Sequence, residues 1–180
     1  MRFLVLFLSI MTIGCLPKSA PLPAINGSTV DVVLLQNSPN STDWAPGPTA
    51  ATQALQNALV ESGLSLVPNS TAETPADASR TFEARFAAKK PGTSGELLLY
   101  VEISAQYFSQ IQGQYRWVLS GHIGVSLLNG EDLHTNNTSF EFPVFLDHPH
   151  EKETAAIEAA VPMLLRHIDQ LLRHGPLLQR

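Results

Sequence analysis

An α+β fold is predicted for this chain: a mixed sheet with a three-stranded antiparallel meander, packed by two or three helices including a long C-terminal helix. Three observations carry that expectation. Apolar residues alternate with polar ones, the period of a strand, through Leu97–Tyr107, Tyr115–Leu127 and Phe140–Val144. Ile157, Val161, Leu164, Leu165, Ile168, Leu171 and Leu172 recur at helical spacing and form one stripe. Upstream, Val30-Asp31-Val32-Val33-Leu34-Leu35 is a nearly continuous apolar run, the pattern of a strand buried on both faces.

The chain has 180 residues, a formal net charge of −5 and a single cysteine. That cysteine, Cys15, stands behind Met1-Arg2, an apolar run of about 11 residues from Phe3 to Ile13, and Gly14. The run is too short to span a bilayer core, which needs ~20 residues. A basic start, an apolar core, a small residue and then cysteine is the layout of a bacterial lipoprotein signal, in which the cysteine is acylated and becomes the new N-terminus. Thr12 stands where such signals usually carry an aliphatic residue, so an ordinary secretory signal is the alternative. Residues 1–14 are thus read as a signal peptide, 15–29 as a lipid-anchored tether and 30–180 as one domain. Leu16, rather than Asp, after the cysteine favours the periplasmic face of the outer membrane in the sorting logic this resembles.

The acidic balance lacks the clustered Lys and Arg of a nucleic-acid footprint. With one cysteine there is no internal disulfide and no cysteine-based metal site. The sequons at Asn26, Asn40, Asn69, Asn136 and Asn137 read as loop composition in a bacterial protein.

Each element has its own signal. Leu16–Thr29 is Pro-, Ser- and Asn-containing tether. Asn37–Pro48 reads as a loop. Thr49–Ser62 reads as a helix with Ala51, Leu55, Ala58 and Leu59 on one face and Gly63 as its stop. Leu64–Val67 alternates as a short strand. Thr74-Pro75-Ala76-Asp77 looks like a capped helix start, and Phe82 and Phe86 lie four apart. A helix is read here; the alternation Arg80, Phe82, Ala84, Phe86 makes an edge strand the competitor, and residues 75–90 stay open between the two.

In the meander, Leu97, Leu99, Val101, Ile103, Ala105 and Tyr107 share one face. Ser109–Gly113 is expected as a hairpin loop. Tyr115, Trp117, Leu119, Gly121, Ile123, Val125 and Leu127 share the next inward face, and Asn129-Gly130 is a two-residue hairpin signal. The opposite sheet face would carry Glu102, Ser104, Arg116, Ser120 and His122. The last helix is expected over Glu151–His174, its acids near the start and Arg166, Arg173 and His174 near the end. Pro162 inside it predicts a kink near Val161.

No GxSxG elbow, phosphate loop or dinucleotide-binding glycine run is present, so no catalytic residue and no cofactor is assigned. Asp147-His148-Pro149-His150 has metal-ligand residue types but no second cluster, and the favoured reading is that Asp147 or a neighbour caps the last helix while the imidazoles face water. His122 reads as a half-buried surface residue without a base's partner. Asp31, inside an apolar strand, is the acid to examine for a perturbed ionisation. Aromatic residues gather at the first hairpin. Phe108, Gln110, Ile111, Gln112, Tyr115 and Trp117 are therefore the candidate partner-binding residues, against a plain packing role.

The segment Ala54-Leu55-Gln56-Asn57-Ala58-Leu59-Val60-Glu61-Ser62-Gly63-Leu64-Ser65-Leu66-Val67 resembles the helix-to-strand unit of the TolB N-terminal domain, the CsgG curli-secretion group and the LpoB-type activators of peptidoglycan synthases. Leu97–Ala105, Val125–Glu131 and Ala155–Ala160 continue the likeness over about residues 30–174. The same features resemble the PqiC-type auxiliary lipoproteins of lipid-transport ABC systems. The resemblance implies a non-enzymatic envelope module that binds a protein partner or complex, held to the membrane by its lipid, with room for an oligomer. The alternative is a small periplasmic enzyme or ligand-binding lipoprotein using the sheet face around Arg116, Ser120 and His122. A deep pocket there would favour the second, and an exposed apolar groove or strand edge the first.

Overall fold

The computed structural model describes residues 27–37, 43–67, 76–77, 80–128, 134–147 and 152–174. Cys15 and the signal, most of the tether, Asn129-Gly130 and His148-Pro149-His150 lie outside the described residues. Within them the chain forms β1 (Thr29–Asn37), β2 (Asp43–Pro46), α1 (Thr49–Glu61), β3 (Ser65–Leu66) and β4 (Ala76–Asp77). Then come α2 (Phe82–Lys89), a 3-10 turn (Lys90–Gly92), β5 (Leu97–Ile111), β6 (Gln114–Leu127), β7 (His134–Leu146) and α3 (Glu153–His174). The strands make a seven-stranded mixed sheet in the order β4-β2-β1-β5-β6-β7, with β3 beside the start of β1. β1 is parallel to β5, and β5, β6 and β7 are the antiparallel meander.

Strand parity sorts the side chains into two layers. Val30, Val32, Leu34, Leu97, Leu99, Val101, Ile103, Leu119, Ile123, Val125, Phe140 and Phe142 face one way. Against them pack Ala51, Leu55 and Leu59 of α1 and Ala156, Ile157, Ala160, Leu164 and Ile168 of α3. A fully buried Leu or Ile contributes roughly 1.5–3 kcal/mol, so this layer dominates stability. Leu165 is only partly buried at its margin. Pro162, within α3, is on the exposed side of the helix.

The opposite face was expected to be polar; it carries a second, smaller core instead. Val33, Leu35, Leu98 and Tyr100 meet Phe82 and Phe86 of α2. Phe86 stacks on Tyr100 with ring centroids 5.6 Å apart. Gly124 leaves the room: a Cβ there would lie 2.7 Å from the Phe86 ring.

Three other expectations need correction. The loop Asn37–Pro48 contains β2, which pairs Leu35 with Pro46 and Gln36 with Ala45. Of the helix start expected at Thr74-Pro75-Ala76-Asp77, the first two residues lie outside the described residues and Ala76–Asp77 is β4; α2 begins at Phe82, with the Thr81 hydroxyl accepting from the Ala84 amide at 3.3 Å. α2 runs into the Pro91-Gly92 turn, which limits it to eight residues. Finally, α3 starts at Glu153, so Asp147 itself does not cap it and instead accepts a hydrogen bond from the Gln114 side-chain amide at 2.9 Å; its neighbours 148–151 lie outside the described residues.

The hairpin is tighter than Ser109–Gly113. β5 runs to Ile111 and pairs Ile111 with Gln114, leaving Gln112-Gly113 as a two-residue turn. Gln112 has φ 52° and Gly113 φ 84°, the left-handed pair that such a turn requires.

Candidate functional site

β1 supports β5 only from Val30/Leu97 to Asn37/Ser104. Beyond Ser104 the β5–β6 hairpin and the end of β7 project past the rest of the sheet. Ala105, Leu119, Val144 and Leu146 still reach the main core there, but other apolar side chains on that projection are left uncovered. Tyr107, Phe108, Ile111 and Phe145 are 49%, 64%, 42% and 46% exposed, and among the described residues only Val60 is a further large apolar group so exposed. Tyr107, assigned to the core face by alternation, is therefore a surface residue.

A register shift between Tyr107 and Ser109 makes Phe108 an extra residue in β5. The bulge turns the Phe108 ring under the Arg116 guanidinium, 4.8 Å from the ring centroid. Arg116 stands directly opposite Phe145 on β7, and cross-strand partners share a face. Phe108, Arg116 and Phe145 thus make one continuous patch, and the Arg116 Nε within it has no hydrogen-bond partner. The other face of the hairpin holds Tyr107, Tyr115 and Trp117, with Tyr107 edge-on to Trp117 at 5.8 Å. Tyr115 and Trp117 are half-buried, and Trp117 packs on the main core. Gln110 and Gln112 are exposed at the tip. The sequence-predicted residues therefore lie at one end of the sheet but on two faces. Phe145 escaped sequence reasoning because only the β6–β7 register reveals it.

The polar face around Ser120 and His122 forms a second candidate. Glu102, expected there at the surface, is fully buried. Arg85 of α2 closes over it: Nε donates to Oε1 and Nη2 to Oε2, each at 2.6 Å. The Arg85 Nη1 also donates to the Arg80 carbonyl. The Tyr100 hydroxyl donates to Glu102 Oε1 at 3.0 Å. Burial, then the Glu102 charge, push the Tyr100 phenol well above its ordinary pKa. The hydrogen bonds that Arg85 donates to Glu102 hold the guanidinium even more firmly protonated. The buried carboxylate thus accepts three hydrogen bonds, two from Arg85 and one from Tyr100, and ties α2 to the sheet. Asp31 is buried in β1.

Beside this cluster an open cavity of about 430 Å³ is lined by Trp44, Ser104, Ser120, Gly121, His122, Ser139, Phe140 and Glu141. Arg116 is not among the lining residues. Ser104 and Ser120 hydroxyls lie 3.1 Å apart across the strands. The His122 ring stacks on Phe82, centroids 4.9 Å apart, and no hydrogen bond joins it to a serine. Arg85 lies 5.3 Å from the Trp44 ring centroid. Among the described residues no three His, Cys, Asp or Glu side chains converge as metal ligands, and no helix is long and apolar enough to cross a membrane.

No family model and no curated protein matches the chain. Similar solved structures include a neuraminyllactose-binding hemagglutinin homolog from Helicobacter pylori, with a TM-score of 0.41, 12% identity and 86% of each chain covered. Rare lipoprotein B from Shewanella oneidensis gives 0.33 and 10% identity over 81% of this chain and 92% of that one. Lipoprotein GNA1162 from Neisseria meningitidis gives 0.32 and 17% identity over 79% and 99%. Likenesses this distant carry no argument about function.

Proposed function

We propose that this protein is a bacterial envelope lipoprotein, anchored through Cys15, that works by binding a protein partner within a larger membrane machine and turns over no small molecule. The observation that carries the reading is the projecting hairpin end, with exposed Tyr107, Phe108, Ile111 and Phe145 around Arg116. Aromatic residues and arginine are the side chains that dominate protein interfaces. A tether from Cys15 to the domain raises the local concentration of partners at the membrane, so a modest patch suffices. The signal layout and Leu16 support the periplasmic face of the outer membrane as its place. Against Glu102 as a catalytic base stands its burial, with both oxygens already accepting from Arg85 and one also from Tyr100.

The paired substitution Phe108→Ser with Phe145→Ser tests this. Both side chains are exposed, so the fold and membrane fraction should stay as in the parent, while the variant should fail to complement a deletion strain. Full complementation by a stably folded double variant would remove the hairpin end from the account.

A further inference from the structure

We propose that the open cavity beside α2 is a binding site for a neutral, polyhydroxylated ring, a hexose or N-acetylhexosamine unit. The site is separate from the hairpin patch: Arg116, Phe108 and Phe145 do not line it.

The lining decides the chemical class. It offers an indole, from Trp44, beside the hydroxyls of Ser104, Ser120 and Ser139, the His122 imidazole and the Glu141 carboxylate, while Phe140 contributes backbone only, its ring being buried in the main core on the other face. Serine hydroxyls both donate and accept, and a carboxylate accepts from two hydroxyls at once. That is the complement of a ring with hydroxyls around its rim and C–H groups on its faces. The volume of about 430 Å³ falls in the range typical of small-molecule sites.

Charge narrows it further. No lysine or arginine lines the cavity, and Glu141 repels an anion there. A cation is disfavoured at the indole, because the Arg85 guanidinium already sits 5.3 Å from that ring and is itself held in place by Glu102. The Ser104–Ser120 hydrogen bond keeps two hydroxyls together at the floor. Neither charge sign fits as well as a neutral ligand with many hydroxyls.

The fold explains how the site is built. Trp44 comes from β2, which the sequence presents as loop, and Ser139 and Glu141 come from the outward positions of β7. The lining residues come from four strands and converge only in the folded sheet.

The test is a titration of the full-length chain in a zwitterionic, sugar-free detergent, followed by nitrogen–proton NMR spectra. The probes are glucose and N-acetylglucosamine (neutral), glucuronate (anionic) and glucosamine (cationic), each to about 50 mM, since single-ring affinities are millimolar at best. The proposal expects saturable shifts at the Trp44 indole N–H and the Ser120, His122 and Ser139 amides with at least one neutral sugar. Glucuronate and glucosamine should bind more weakly. Glu141→Gln, at an exposed position, should leave the melting temperature unchanged and weaken the neutral sugar roughly tenfold through loss of a charged acceptor. Trp44→Ala should abolish the shifts. Absence of saturable shifts with both neutral sugars would overturn the proposal. So would tighter binding of either charged probe, or an unchanged affinity in Glu141→Gln and Trp44→Ala.

Discussion

Arg85 and Glu102 form a bidentate ion pair inside the domain, two N–H···O contacts of 2.6 Å, with the Glu102 side chain fully excluded from solvent. The pair bolts α2 to the centre of β5. It also explains why a helix of eight residues, too short to be stable alone, is held on the sheet.

Removing one partner should cost more than removing both. Glu102→Leu leaves a buried guanidinium uncompensated and should destabilise by about 3–5 kcal/mol. The double variant Arg85→Met with Glu102→Leu should recover most of that loss, because buried pairs exchange for apolar groups at little net cost. Denaturant melts of the two single variants and the double close the cycle; additive losses would mean that the two residues are not coupled as described.

Tyr100 gives the domain an alkaline limit. Its folded pKa is raised by burial and by Glu102. The sign follows from linkage: the unfolded phenol ionises near pH 10, so stability is complete below that value and falls as pH rises above it. Melting temperatures between about pH 9 and 11 should therefore decline beyond pH 10. Tyr100→Phe, which cannot ionise, should be less stable at neutral pH for want of the hydrogen bond to Glu102, and should show a shallower alkaline decline. An identical decline in both proteins would assign the limit to other groups.

Helix α3 provides the largest packing test. Leu164 is fully buried between α3 and the sheet, so Leu164→Ala should cost about 2–5 kcal/mol. Leu165→Ala should cost less, since Leu165 is only partly buried. Gln170 is exposed, and Gln170→Ala should change stability by less than about 0.5 kcal/mol. Similar midpoints for Leu164→Ala and Gln170→Ala would contradict the packing described.

The order of the elements was legible wherever one period ran unopposed. Leu97–Ala105 and Leu119–Val125 alternate cleanly, and the Ile157–Leu172 stripe admits only a helix. Around α2 the signals compete. Thr74-Pro75-Ala76-Asp77 has helix-start chemistry, yet Ala76–Asp77 is the short β4, and Thr81 provides the working cap. Parity told which face Glu102 occupies, not what covers that face. Its cover, Arg85, comes from a helix whose limits the sequence left open. The same limit hid Phe145, whose neighbours depend on register, and Trp44, which stood in an apparent loop. Tyr107 was misplaced because alternation continues after β1 ends, and burial does not.

Lipidation at Cys15 is the anchor of the functional reading. Cells fed a clickable fatty acid should label the parent chain and not Cys15→Ser, and the variant should move to the soluble fraction with its domain folded. An unlabelled parent would sever the protein from the membrane.

The central claim is partner binding by the hairpin end. Photo-crosslinking residues placed in living cells at Gln110 and Gln112, and at Gln170 on α3 for comparison, test it most directly. The account predicts one discrete adduct with an envelope protein from Gln110 and Gln112, none from Gln170, and loss of the adduct when Phe108→Ser and Phe145→Ser are added. No adduct from the hairpin, or the same adduct from Gln170, would contradict it.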